Sequence, residues 1–311
     1  MKITQPCIVP NMNEVEYHLD PCPTASASRG FLNTMLRKTP LHAMIDHPRL
    51  NPDFESSNKR KFDFGGAAHD YVLRGGGAVS VLDFPDYRTK AAQSERDAAL
   101  ALNKLPILAH DWMAIQDMEQ ALRRQIAGID GHKDGLANGK PECAIFWQED
   151  GLWFRTMPDW ITDDGWLEDY KTTGIGGPKQ FMEGVFVDKG YHIQAFMGLR
   201  GYHAVTGQNA KGFRFWVQET EYPHAVYCVT VHNTMMEVAE ADFEHGKFMF
   251  GRCMETGIWP GYPVKPFEVY PSFRANRNFE DVKTAKNTFE ATPEMRKVLN
   301  DWCAPNTRKA S

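Results

Sequence analysis

The chain contains no run of about 18 apolar residues, the length a helix needs to cross a hydrocarbon core. Its opening stretch, MKITQPCIVPNMNEVEYHLD, has no apolar segment of signal-peptide type. A membrane span and a secretory leader are therefore not expected, and a cytoplasmic location is. Cysteine is sparse: Cys7, Cys22, Cys143, Cys228, Cys253 and Cys303 stand singly, without a C-x-x-C pair or a histidine at zinc spacing. Free thiols follow, and an iron-sulfur cluster does not. A global excess of positive charge is also missing, since the net charge is -5. No protein-wide basic field announces a nucleic-acid partner.

What remains is ordinary for a folded protein. The 311 residues are 42% hydrophobic and 24% charged, enough to bury a core in one large domain with added helices. Local basic groups stand out against the acidic total, at Lys59, Arg60 and Lys61 and at Arg88 and Lys90. Each reads equally as a solvated face or as a patch for a nucleic-acid backbone.

The first 23 residues read as an extended N-terminal arm rich in Pro, Asn and acids. Thr24 to Pro40 reads as a capped helix, with a short helix after it through Ile45 and a polar loop over 47–61. Phe62 to Leu73 reads as a helix of small residues stopped by Gly75, Gly76 and Gly77. Val79 to Leu82 fits a short strand, and 89–127 fits two helical pieces broken near Leu105 and Pro106. Strands are then expected at Glu142 to Gln148, Leu152 to Ile161 and Trp166 to Thr172, as a three-stranded antiparallel meander. A helical region from Pro178 to Val205, broken at Gly190, precedes strands at Lys211 to Glu219 and His224 to Val231. A helix from Met235 to Glu255 leads into a Pro- and Asn-rich tail over 257–311 with one short helix near 293–302.

The densest chemistry lies in WFRTMPDWITDDGWLEDYKTT. On a strand Asp169 and Lys171 share a face while Tyr170 points away. The turn signal Asp163-Asp164-Gly165 folds Asp159 back beside Asp169. Two carboxylates about 4 Å apart repel by roughly 4 kcal/mol at an effective dielectric near 20, so such a pair calls for a proton or a cation. A divalent metal is the natural occupant. The same letters recur at Glu280-Asp281-Val282-Lys283-Thr284, but without an upstream Pro-Asp or a hairpin, and that copy is assigned no chemistry.

Pro158-Asp159 followed by Asp169-Tyr170-Lys171, within helix, three strands, helix and strand, resembles the PD-(D/E)XK nuclease core. More narrowly it resembles the RecB-like and RecE-like (exonuclease VIII) branch, whose second half reads D-x-K-T-T. Gly65-Gly66-Ala67-Ala68-His69 matches that branch's upstream histidine motif, Glu142 its acidic residue at the first strand, and Tyr191-His192-Ile193-Gln194 its Tyr-x-x-Gln. Gly198 stands where some relatives carry a tyrosine.

The resemblance implies an α/β restriction-endonuclease-like fold over 24–256, with a helical N-terminal part over 24–130. It implies catalytic roles for Asp159, Asp169, Lys171, Glu142 and Gln194, and a Mg²⁺ or Mn²⁺ site of one or two ions at Asp159, Asp169, the Tyr170 carbonyl and His69. Lys171 is expected to act as a cation rather than a base, because two adjacent carboxylates oppose its deprotonation. Tyr191 joins the basic groups as a DNA contact. The implied activity is metal-dependent exonuclease action on duplex DNA ends, phage or prophage encoded, with a single-strand annealing protein and a closed homo-oligomeric ring as implied partners. A structure-specific endonuclease and a catalytically silent DNA-binding module on the same core are the alternatives. His42, His47, His132, His192 and His203 read as structural, and most of Trp147, Trp153, Trp160, Trp166, Phe181 and Phe186 as core.

Overall fold

Polar caps and glycines divide the chain into its elements, and several sit where the sequence puts them. The computed structural model describes residues 2–54, 64–102, 104–174 and 176–271, with Asn276, Arg277 and Glu280. Lys59, Arg60 and Lys61, the look-alike Asp281 to Lys283, Cys303 and the helix expected near 293–302 lie outside the described residues.

Strand β1 (Cys7–Val9) is followed by α1 (Glu14–His18), capped by the Asn13 side chain, which accepts from the Val15 and Glu16 amides at 2.9 and 3.2 Å. The stretch read as an extended arm thus carries a strand and a helix. Its reason is burial: Ile3, Met12 and Tyr17 form a small core with Phe146 and Trp153. Strand β2 (Ser26–Ser28) leads directly into α2 (Arg29–Arg37), whose Phe31 amide donates to Ser28 Oγ at 3.3 Å. Helix α3 (Pro40–Ile45) begins with proline after the capping Thr39, and α4 (Phe64–Arg74) follows.

Next come β3 (Val79–Leu82), α5 (Lys90–Ala101), β4 (Leu105–Leu108) and α6 (Ala109–Ile126). The break expected at Pro106 is a strand parallel to β3, since proline at a two-stranded edge costs no interior ladder bond. After β5 (Gly139–Pro141) come β6 (Ala144–Glu149), β7 (Leu152–Thr156), β8 (Trp160–Thr162) and β9 (Trp166–Thr173). Helix α7 (Pro178–Gln180) runs into a π-helical turn over Phe181–Val185, and α8 (Tyr191–Thr206), β10 (Gly212–Glu219), β11 (Val226–Thr230) and α9 (Asn233–Thr256) complete the order.

The expected meander is divided between two sheets. β6 and β7 belong to a sheet ordered β1-β6-β7-β2, whereas β8 and β9 belong to one ordered β11-β10-β9-β8-β5. The strand expected over Leu152 to Ile161 breaks at Met157, Pro158 and Asp159, because proline lacks the amide a continuous ladder would need. Strand β10 runs parallel to β9 after the α8 crossover, pairing Phe215 with Asp169 and Trp216 with Tyr170. One face of this pair packs Leu167, Phe213, Phe215 and Val217 with α2, α8 and α9 side chains. The other packs Tyr170 and Trp216 against α4 and α6. The result is the mixed α/β core expected from the motif, with sheet between helical layers.

Two glycines let α8 lie close to the sheets. A Cβ at Gly198 would meet the Phe213 ring at 2.8 Å, and one at Gly201 would meet Trp147 at 2.8 Å. The glycine in place of the relatives' tyrosine is therefore a packing requirement on the sheet side of α8. Trp147, Trp153, Phe181 and Phe186 are buried core residues, as expected, while Trp160 and Trp166 are half-buried. By contact the chain divides into Met1–Tyr262 and Pro263–Ser311, and all the named elements lie in the first unit. No helix among the described residues is long and apolar enough to cross a membrane.

Candidate active site

The hairpin from β8 to β9 brings the two acids together. Trp160 pairs with Glu168 and Ile161 with Leu167, so the register carries Asp159 to the level of Asp169. The Tyr170 amide donates to Asp159 Oδ2 at 2.7 Å, and strand geometry sends the Tyr170 carbonyl out of the same edge. Lys171, two residues on, bonds Asp169 Oδ1 through its ammonium, and the Gln194 amide nitrogen from α8 donates to Asp169 Oδ2. His69 reaches over from α4, with Nε2 at 3.0 Å from Asp159 Oδ1. Six of the expected residues, Asp159, Asp169, Tyr170, Lys171, Gln194 and His69, thus meet in one cluster.

Glu142 joins them by the backbone. Its amide donates to the Asp159 carbonyl at 2.8 Å, and its φ of 45° turns the chain into β6. Its carboxylate is paired with Arg74, which projects from the same helix as His69. Tyr191, expected to touch DNA, lies beneath Lys171, with Nζ 5.2 Å from the ring centroid and Phe181 stacked on the ring at 5.8 Å. Arg88 and Lys90 are exposed before and at the start of α5 and are not among the residues lining the site.

The charges explain one another. Burial pushes the Asp169 carboxyl up to about 6, and the neighbouring Asp159 pushes the same way against Lys171 and His69. Asp159 moves down: burial would raise it, but His69, Lys171 and the Tyr170 amide outweigh that. Burial would lower Lys171 and His69, yet the facing carboxylates raise both. The acids that each base faces favour its protonated form.

A cavity of about 580 Å³ opens over this cluster, walled by Tyr17, Arg29, His47 and Arg155 from outside the motif. Sequence reasoning missed Arg29, Arg74 and Arg155. Arg155 carried a signal, a lone cation in the apolar strand LWFRT; it is 3% exposed and bonds the Ser26 carbonyl at 2.6 Å. Its partners come from the N-terminal segment, which only the fold brings there.

The donor set suits a hard divalent ion: two carboxylates, a strand carbonyl and an imidazole. Each carboxylate here accepts two bonds of about four it can take, and the buried Gln194 Oε1 has no hydrogen-bond partner. In this conformation no group of three or more His, Cys, Asp or Glu side chains gathers to hold an ion among the described residues. The acids instead spend their charge on His69, Lys171 and Gln194.

Comparison with known proteins agrees with this core. A family model described as a PDDEXK-like domain of unknown function (DUF3799) matches residues 34–265. The chain belongs to this PDDEXK-like family. The motif residues Asp159, Asp169 and Lys171 all fall inside the matched region. No curated protein matches the chain. Among solved structures, the crystal structure of a "putative exonuclease" from Eubacterium rectale superposes with a TM-score of 0.50 at 11% identity, covering 86% of this chain and 98% of the other. At that identity the likeness shows the fold, which is restriction-endonuclease-like. Membership of a PD-(D/E)XK nuclease family points to nuclease chemistry on DNA with a divalent metal.

Proposed function

We propose that this PDDEXK-like protein is a metal-dependent DNA exonuclease of the RecE-like branch, working on duplex ends in the cytoplasm of the host cell in phage-type recombination. The carrying observation is the meeting of Asp159, Asp169, Lys171 and Gln194 at one end of the β8–β9 hairpin. End dependence is supported by the branch motif D-x-K-T-T with Tyr-x-x-Gln, and by the exonuclease description of the structural neighbour.

Asp159, Asp169, the Tyr170 carbonyl and His69 would hold Mg²⁺ or Mn²⁺. Bound there, the ion lowers the pKa of its water and offsets charge on the scissile phosphate. The chain's own residues do the rest. Lys171, held as a cation by the acids, orients the attacking water and meets the negative charge growing on the phosphorane oxygens. Gln194 fixes the Asp169 carboxylate, and Tyr191 limits the arc through which the Lys171 ammonium can swing. Arg74 pairs with the Glu142 carboxylate and holds it in place, while the Glu142 amide bonds the Asp159 carbonyl. Arg29, half-buried in the cavity wall, supplies a cation for a phosphate backbone, whereas Arg155 is buried and paired with Asp20.

The test is digestion of end-labelled linear duplex with Mg²⁺, beside a covalently closed circle of the same sequence. Degradation of the linear DNA alone is expected, with Lys171→Ala reduced at least ~100-fold. Cleavage of the closed circle would replace the exonuclease with an endonuclease on the same core. Wild-type rates from Lys171→Ala would remove the assignment altogether. An annealing-protein partner and a ring-shaped oligomer belong to the same proposal; a pull-down with a single-strand annealing protein tests the first and the solution mass from light scattering the second.

A further inference from the structure

We propose that Asn33 and Arg37, together with Arg29, are positioning residues: from α2 they set the first turn of α8 and through it aim Gln194 at Asp169 and Tyr191 at Lys171. The proposal rests on the nuclease reading of that cluster.

Arg29, Asn33 and Arg37 are four residues apart and so share one face of α2. They donate to three successive carbonyls just ahead of α8: Arg29 to Lys189 at 2.9 Å, Asn33 to Asp188 at 3.2 Å and Arg37 to Val187 at 3.4 Å. This chain of bonds matters because α8 begins without a side-chain cap of its own. The preceding residue is Gly190, in the left-handed region at φ 69°. A Cβ there would lie 2.8 Å from Asn33 Oδ1, so the turn and the asparagine are fitted to each other. Asn33 Oδ1 is buried without a hydrogen-bond partner, a cost accepted while the amide nitrogen serves the Asp188 carbonyl.

The first turn of α8 carries both residues that grip the motif. Tyr191 donates its amide to the Phe186 carbonyl at 2.9 Å, and Gln194 donates its own to Gly190 at 3.0 Å. Gln194 then bonds Asp169, while the Tyr191 ring lies under Lys171 and within 5.8 Å of the Arg29 guanidinium. A small shift of this turn moves the supports of the acid and of the lysine together. Arg29 also lines the cavity and so is placed to touch substrate directly. On α2 the cavity is lined by Arg29, Gly30, Phe31 and Thr34; Asn33 and Arg37 are not among the lining residues, which makes them the clean probes.

The experiment has two readouts on the full chain. The first is the Gln194 side-chain amide resonance, which the Asp169 carboxylate shifts. In Asn33→Ala and in Arg37→Ala it should move toward the position of a free amide. The second is steady-state cleavage of linear duplex with Mg²⁺. Asn33→Ala should lower kcat roughly 10- to 100-fold with KM little changed, Arg37→Ala should lower it less, and Arg37→Lys should restore it. In a Gln194→Ala background Asn33→Ala should add little, because the two act through one contact.

An unmoved amide in both alanine variants overturns the proposal. So do losses that multiply independently in the double variant, or a loss confined to KM. A wild type that fails to cleave, with the amide still shifting in the variants, removes the nuclease reading and leaves the positioning role standing. Arg37 is exposed, so its variants report even where Asn33→Ala does not fold.

Discussion

Glu168 and Asp169 are adjacent on β9, both are buried acids, and burial raises the pKa of both, yet the two faces of the sheet treat them differently. Glu168 faces Arg214 of β10, which bonds it directly and stacks on Trp166 and Trp216 at 4.9 and 5.2 Å. Its other oxygen accepts the Leu136 amide at 2.6 Å. The Arg214 guanidinium also reaches His132 at 2.7 Å, so the loop before β5 is tied to the sheet. Asp169 faces a second carboxylate, a lysine and a neutral amide. One acid is matched by a fixed cation of planar, always-charged type. The other shares its positive partners with a like-charged neighbour, and a divalent ion would relieve that.

The comparison separates a buried acid matched inside the fold from one that the proposed mechanism uses. Glu168 closes the fold around a buried pair with Arg214, which His132 and Asp134 flank. Asp169 holds a charge that the protein alone does not balance well, as its pKa of about 6 records. That contrast can be broken from either side.

The largest effect is expected from Arg214→Leu, which leaves Glu168 buried and unpaired. Denaturant melts should show a loss of about 3–5 kcal/mol. No loss would mean that Glu168 is not carried as a charge.

Asp169→Asn should act in the opposite direction on stability. Its carboxyl is pushed up to about 6 from an ordinary 3.8, so above that window ionisation costs the folded state up to about 3 kcal/mol. The metal-free variant should melt higher than wild type near pH 7.5 and cleave no DNA. A lower melting temperature would show that Lys171 and Gln194 already offset the repulsion.

A smaller shift separates the two acids by ligand. Mg²⁺ or Mn²⁺ at about 100 times its dissociation constant should stabilise wild type by about 2.7 kcal/mol. The Asp169→Asn protein should show no such gain. Equal gains in both would place the ion elsewhere.

The smallest effect concerns a third buried acid of the closed kind. Burial would raise Asp20, but bonds to His47 and Ser26 and the charge of Arg155 bring it down to about 2. Because its folded pKa is depressed, its contribution of about 2 kcal/mol is present above pH 4 and fades as pH falls through about 2. The stability gap between wild type and Asp20→Asn should close over that range. A gap that stays constant with pH would show that Asp20 acts through hydrogen bonds rather than charge.

Much of this site was legible along the chain because its parts are local. Asp169 and Lys171 share a face by strand alternation, and the Asp-Asp-Gly turn returns Asp159 to them by register alone. Helices with polar caps and glycine stops were similarly readable, α2 and α8 among them. The meander was misread because hydrophobic pattern does not tell which sheet a strand joins after Pro158. The packing of Tyr191 under Lys171 was not legible, because its motif, unlike its packing partner, is visible in one dimension.

The sequence by itself determined the acid-acid-lysine hairpin, the layers around it and the kind of cation it calls for. These follow from periods of two and 3.6 residues and from charge at short separation. Tertiary structure alone decided that Arg74 would neutralise Glu142, that Arg155 and the first 23 residues would wall the cavity, and that α2 would hold α8. Those contacts join residues 68 to 160 positions apart, where no local spacing constrains who meets whom and only the packing of the whole core selects the partner.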